Sequence, residues 1–137
     1  MRKSIKWMLG LLVMGSAISA LIPKNGTISP PAEAEKSDEP APAAIEAAKK
    51  ALKAEPKVKD FIYQPGQAVE WQIGVFDDGT SRVGYANYIC ELLTDTGAIK
   101  PSTHVRIVDI VTVSRGEDFR SASLGHVACD DRRVITP

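Results

Sequence analysis

Side chains that commonly carry chemistry are scarce in this chain of 137 residues, which holds two histidines, two cysteines, two tryptophans, three tyrosines and three phenylalanines. His104 and His126 lack a second ligand at the short spacings that zinc sites use, so no metal site is expected. No Cys-x-x-Cys pair is present, which argues against a dithiol redox motif. No serine sits in a Gly-x-Ser-x-Gly elbow. The segment Asp77-Asp78-Gly79-Thr80-Ser81 offers one glycine and two carboxylates where a phosphate loop needs several glycines, so nucleotide binding is not expected either. No cofactor and no catalytic residue follow from these absences. An excess of charge is missing too: 17 basic residues balance 17 acidic ones, which gives no footprint for nucleic acid.

What is present starts with an export signal. Arg2, Lys3 and Lys6 form a positive end, Trp7 to Ile22 an apolar stretch, and small residues follow, so residues 1–22 read as a signal peptide. Two cuts fit: after Ala20, with Ile18 at the first small-residue position, or after Ala34, at Ala32-Glu33-Ala34. The alternative is an uncleaved anchor over residues 7–22, but that stretch is interrupted by Gly10, Gly15, Ser16 and Ser19 and falls short of the roughly 20 residues a spanning helix wants. Membrane contact is then transient. Cutting after Ala34 removes Arg2, Lys3, Lys6, Lys24 and Glu33, leaving 13 basic and 16 acidic residues and a formal charge of −3.

Residues 23–56 read as a spacer. Ser29-Pro30-Pro31 and Glu39-Pro40-Ala41-Pro42 hold the chain extended, and little apolar surface is available to bury. Ala43 to Glu55 is composed of good helix formers stopped by Pro56, but Ile45, Ala48 and Leu52 make a thin stripe, which predicts a marginal, solvated arm. Lys49, Lys50, Lys53, Lys57 and Lys59 read as a solvated face, because Glu46, Glu55 and Asp60 lie among them.

The globular domain is expected over residues 57–137. Val69, Trp71, Ile73 and Val75 alternate with Glu70, Gln72 and Gly74, the period of a half-buried strand. After a turn at Asp77-Asp78-Gly79, with Thr80 or Ser81 as the cap, a helix is predicted to about Thr96, where Gly97 supplies a left-handed stop. Val83, Ala86, Cys90 and Leu93 form its inner face, and Gly84 suggests close approach of its backbone to the sheet. Val105 to Val113 is β-branched and predicts a central strand, and Leu124 to Cys129 a last, antiparallel one. A strand-helix-strand-strand order implies an α+β fold, a small two-layer α/β sandwich whose first two strands are parallel neighbours. A homodimer through a free strand edge is compatible with it.

A domain this small needs a staple. Cys90 and Cys129 supply a disulfide in the oxidising compartment that the signal implies, which is periplasmic or secreted. Three features bear on function. Asp109 interrupts the apolar alternation of its strand and either pairs inward with Arg106 or Arg115 or marks a bulge. The loop Arg115-Gly116-Glu117-Asp118-Phe119-Arg120 sets an aromatic ring among opposite charges, so Arg115, Glu117, Phe119 and Arg120 are the candidate binding residues, unless Phe119 plugs the sheet edge. Tyr85 and Tyr88 line a pocket and Trp71 stacks a sugar or peptide, or, the commoner outcome at such spacing, all three belong to the core. The expected function is a non-enzymatic envelope module that binds a protein or a cell-envelope polymer through the Ser114 to Ser123 loop. The alternative is a small hydrolase or lyase using Asp109 with His104 or His126, which requires those side chains within about 7 Å of each other.

Overall fold

A computed structural model describes residues 39–136. The expected signal segment, both cleavage positions and the spacer up to residue 38 lie outside the described residues. Helix α1 (Pro42–Ala54) is followed by strands β1 (Asp60–Gln64) and β2 (Val69–Val75), helix α2 (Val83–Asp95), strand β3 (Thr103–Asp109), a single turn of helix α3 (Ile110–Ser114) and strand β4 (Ser123–Ala128). The four strands form one sheet in the order β1-β2-β3-β4. The outer pairs are antiparallel and the central pair β2/β3 is parallel. The protein is therefore an α+β fold, with the expected β2-α2-β3 crossover joining its two parallel strands.

Alternation along the strands divides the sheet into two unlike faces. Trp71, Ile73, Val105, Ile107 and Val127 point to one side and form a continuous core with Ala86, Ile89, Cys90 and Leu93 of α2. Phe61 and Tyr63 of β1 pack their rings on Trp71, at centroid distances of 6.4 and 4.7 Å. Trp71 is wholly buried, so it is a core residue and offers no stacking surface. The opposite face carries Gln64, Glu70, Gln72, His104, Arg106 and His126.

Three expectations about elements are corrected. Helix α1 belongs to the domain: Ala48 and Leu52 are fully buried within the core, and the Tyr88 hydroxyl donates to Glu55 at 2.6 Å just beyond the helix end. A thin stripe suffices because a neighbouring helix and sheet supply the rest of the core. Strand β1 is an addition to the three strands expected: Phe61-Ile62-Tyr63 has strand propensity, but as an edge strand it alternates exposed and half-buried positions and its pattern is short. Strand β3 ends at Asp109, where that side chain caps α3 by accepting from the amides of Val111 and Thr112.

At the start of α2, neither Thr80 nor Ser81 is the cap; Arg82 occupies that position without a side-chain cap, and its amide donates to the Leu124 carbonyl. Gly97 does end α2 in a left-handed conformation, φ +74°, and Ala98 donates back to the Leu93 carbonyl. The close backbone approach expected at Gly84 occurs elsewhere. A Cβ on Gly84 would meet nothing within 4 Å, whereas one on Gly125 would lie 2.7 Å from the backbone of Arg82 and Val83. Gly125→Ala will therefore destabilise by about 1–3 kcal/mol. Gly84→Ala will stabilise by about 0.5–1 kcal/mol. Urea midpoints of the two variants check both signs.

Cys90 of α2 and Cys129, just after β4, form a disulfide with a Cα–Cα separation of 5.4 Å. It ties the helix layer to the far edge of the sheet and points to an oxidising, extracytoplasmic compartment. Beyond it the chain turns back on β4. Val134 bridges Val127, and the Ile135 amide donates to the His126 carbonyl, so the tail runs along the β4 edge. No helix among the described residues is long and apolar enough to cross a membrane.

Candidate functional site

The polar sheet face is built by register. Parallel pairing of β2 with β3 sets Glu70 beside His104 and Gln72 beside Arg106, and antiparallel pairing of β3 with β4 sets Arg106 beside His126. On the other side, antiparallel pairing of β1 with β2 brings Gln64 opposite Glu70. Two carboxamides, a carboxylate, a guanidinium and two imidazoles thus converge on the middle of one sheet.

Glu70 is the hub. It accepts from Arg106 Nε at 3.0 Å and from Gln72 Nε2 at 3.1 Å, and Gln72 also reaches Gln64 Oε1 at 3.4 Å. Burial pushes the Glu70 carboxyl up, but its hydrogen bonds from Arg106 and Gln72 outweigh that and hold it below the usual carboxylate range. His126 lies edge-on to His104, ring centroids 5.5 Å apart. Burial first, and then the neighbouring Arg106 charge, push the His126 imidazole down to about 4, so it is neutral at pH 7.

Two open depressions flank this hub and share Glu70, Arg106 and Arg120 in their walls. One, of about 480 Å³, adds Gln64, Gln72, Asp118 and Phe119. The other, of about 320 Å³, adds His126, Ile135 and Thr136. Gln72 and His126 are each only 6 % exposed, yet Gln72 Oε1 and His126 Nε2 have no hydrogen-bond partner among the described residues. Orphaned polar atoms occur elsewhere too, at Tyr63, Trp71, Tyr85, Asn87 and Arg82, the last of which lines a separate depression of about 310 Å³.

The loop residues singled out from the sequence divide. Phe119 is half-buried, sealing the end of the face with Ile62, Val108, Ile110 and Val113, while part of its ring borders the larger depression. Arg120 is exposed and borders both depressions. Arg115 caps the end of α3 and, like Glu117, is exposed and borders neither depression. Asp118 folds the loop on itself, accepting from the amides of Arg120 and Ser121 and from the Ser121 hydroxyl; these bonds, the Ser121 amide foremost, hold its carboxyl below the usual range.

The pairing of Asp109 with a histidine is corrected. Asp109 stands five positions beyond His104 on the same strand, about 16 Å along it, and three beyond the position that pairs with His126, about 10 Å along the sheet. Both separations exceed direct or single-water proton transfer. Its carboxyl is committed to α3, accepting from the Thr112 hydroxyl at 2.6 Å. That bond foremost holds it below its ordinary value. Tyr85 and Tyr88 stack on each other at 5.8 Å, and the Lys57 ammonium sits over Tyr85, so these rings brace the entry to β1.

No protein-family model, no curated protein and no solved structure matches this chain. Its function is read from the site alone.

Gln64, Glu70, Gln72 and Arg106 did not stand out in the sequence as a site. A signal was there: polar residues alternate along β2, and His104 and Arg106 do so along β3. Their convergence became legible only once the parallel register was known.

The buried imidazole gives a checkable pH dependence. In the unfolded chain His126 takes up its proton near pH 6.5, and in the folded protein only near 4, so between these values the unfolded state binds the extra proton. Its contribution to stability is complete above about pH 6.5 and is lost as the pH falls toward 4. Thermal melts of the wild type will show this decline, and His126→Gln will flatten it.

Proposed function

We propose that this protein is an exported, non-enzymatic binding module, periplasmic or secreted, that holds a cell-envelope polymer, specifically a glycan, on the polar face of its sheet. The observation that supports this reading is the pair of adjoining depressions on one sheet face, walled by Gln64, Glu70, Gln72, Arg106, Arg120 and His126. Their volumes fall in the range of small-ligand sites, roughly 300–1,000 Å³. The groups around them suit hydroxyl-rich ligands: carboxamides and a guanidinium present paired donors and acceptors, and Phe119 gives an apolar edge for the carbon face of a ring. The shape is an open trough, in keeping with a polymer that passes through it. The signal segment and the disulfide are consistent with delivery to where such polymers are found.

Calorimetric titration with a panel of oligosaccharide tetramers, namely N-acetylglucosamine, galacturonate and methyl-esterified galacturonate, tests the reading. At least one tetramer is expected to bind, and Gln72→Leu and Phe119→Ala, with unchanged circular dichroism, are expected to weaken it about tenfold or more. Absence of binding across the panel, or binding indifferent to both substitutions, overturns it.

A further inference from the structure

Resting on that reading, we propose that the end of the trough formed by Arg106, Arg120 and His126 is a carboxylate subsite, so that the polymer recognised is an acidic glycan carrying uronic-acid sugars. Arg106 is 8 % exposed, its one ion pair among the described residues uses Nε, and its side chain lines both depressions. Arg120 lines the same depression and forms no ion pair within 4.0 Å among the described residues. His126, itself only 6 % exposed, forms part of the wall of the same depression. Thr136 and Ile135 of the returning tail close the far side.

Charge selects the ligand. Glu70 already balances Arg106, and Asp118, the carboxylate that interacts with Arg120, lines the larger depression and is engaged by the Arg120 and Ser121 amides, so among the described residues no second carboxylate borders this depression and its charge is net positive. A planar monoanion matches that excess and the fork of a guanidinium. A phosphate dianion would bring a second negative charge close to Glu70. The charged and titratable groups facing His126 are Arg106, Glu70 and His104. A carboxylate placed beside them accepts from the guanidinium nitrogens of Arg106 and Arg120.

The test compares tetragalacturonate with its fully methyl-esterified form, which keeps the sugar ring and removes the charge. Tetragalacturonate is expected to bind about tenfold or more tightly, and Arg120→Gln, an exposed substitution that leaves the core untouched, is expected to erase the difference. Equal affinity for acid and ester overturns the carboxylate subsite while leaving glycan binding intact; no binding of any tetramer, including N-acetylglucosamine, overturns both. Competition by inorganic phosphate at the same concentration as galacturonate overturns the choice of carboxylate. Tighter binding of a tetraglutamate peptide than of tetragalacturonate overturns the choice of glycan.

Discussion

Replacing Cys90 and Cys129 together by alanine will lower the unfolding free energy by about 4 kcal/mol. Joining residues 39 positions apart removes that much loop-closure entropy from the unfolded chain in the entropic description of a cross-link. A small domain has about 5–15 kcal/mol in total, so the loss is a large share of its stability. At about 4–8 °C per kcal/mol, the melting midpoint will fall by roughly 15–30 °C. The effect is large here because both sulfurs lie in the core: the bridge anchors α2 to the strand edge, where the chain reverses into its last residues. A double variant whose unfolding free energy from urea melts stays within about 0.5 kcal/mol of the wild type would show that packing alone holds the two layers together.

Leu52→Ala will cost about 2–5 kcal/mol, a result that a solvated arm would not give. Leu52 is fully buried with Ala48 in the same cluster as Trp71 and Leu93. Truncation to alanine removes its apolar contacts and leaves a cavity between helix and core that the fixed sheet cannot collapse to fill. Lys53→Ala on the outward side of the same helix will stay within about 0.5 kcal/mol. Denaturant unfolding of the two variants side by side separates a docked α1 from a solvated one.

Much of the fold was legible because its signals are local. The alternation from Val69 to Val75 and the broad apolar face from Val83 to Leu93 each identify their element, and Gly97 marks the end of α2 through a conformation that glycine adopts without strain. The failures share a physical cause. Helix α1 and strand β1 lie at the periphery, where half of each element faces water, so their patterns are weak until a partner surface is known. Asp109 misled in another way: Val105 to Val113 is rich in β-branched residues on both sides of it, and composition does not reveal that a carboxylate in the middle converts the second half into a helical turn by satisfying its first amides.

The site was the least legible part. Phe119 and Arg120 were found by their unusual company in a loop, and the structure brings both to the trough, while Arg115 and Glu117 fall away from it. The groups at the centre are ordinary polar members of alternating strands. They become a site through the parallel pairing of Glu70 with His104 and Gln72 with Arg106, a relation between segments more than 30 residues apart.

Amide chemical-shift mapping during titration of the protein with tetragalacturonate tests the proposal of a sheet-face binding module most directly. The predicted result is saturable shifts confined to Gln64, Glu70, Gln72, Arg106 and His126 and to the loop at Phe119 and Arg120. Shifts centred instead on the depression of about 310 Å³ around Lys57, Phe76 and Arg82, or none with this or the other two tetramers, would contradict it.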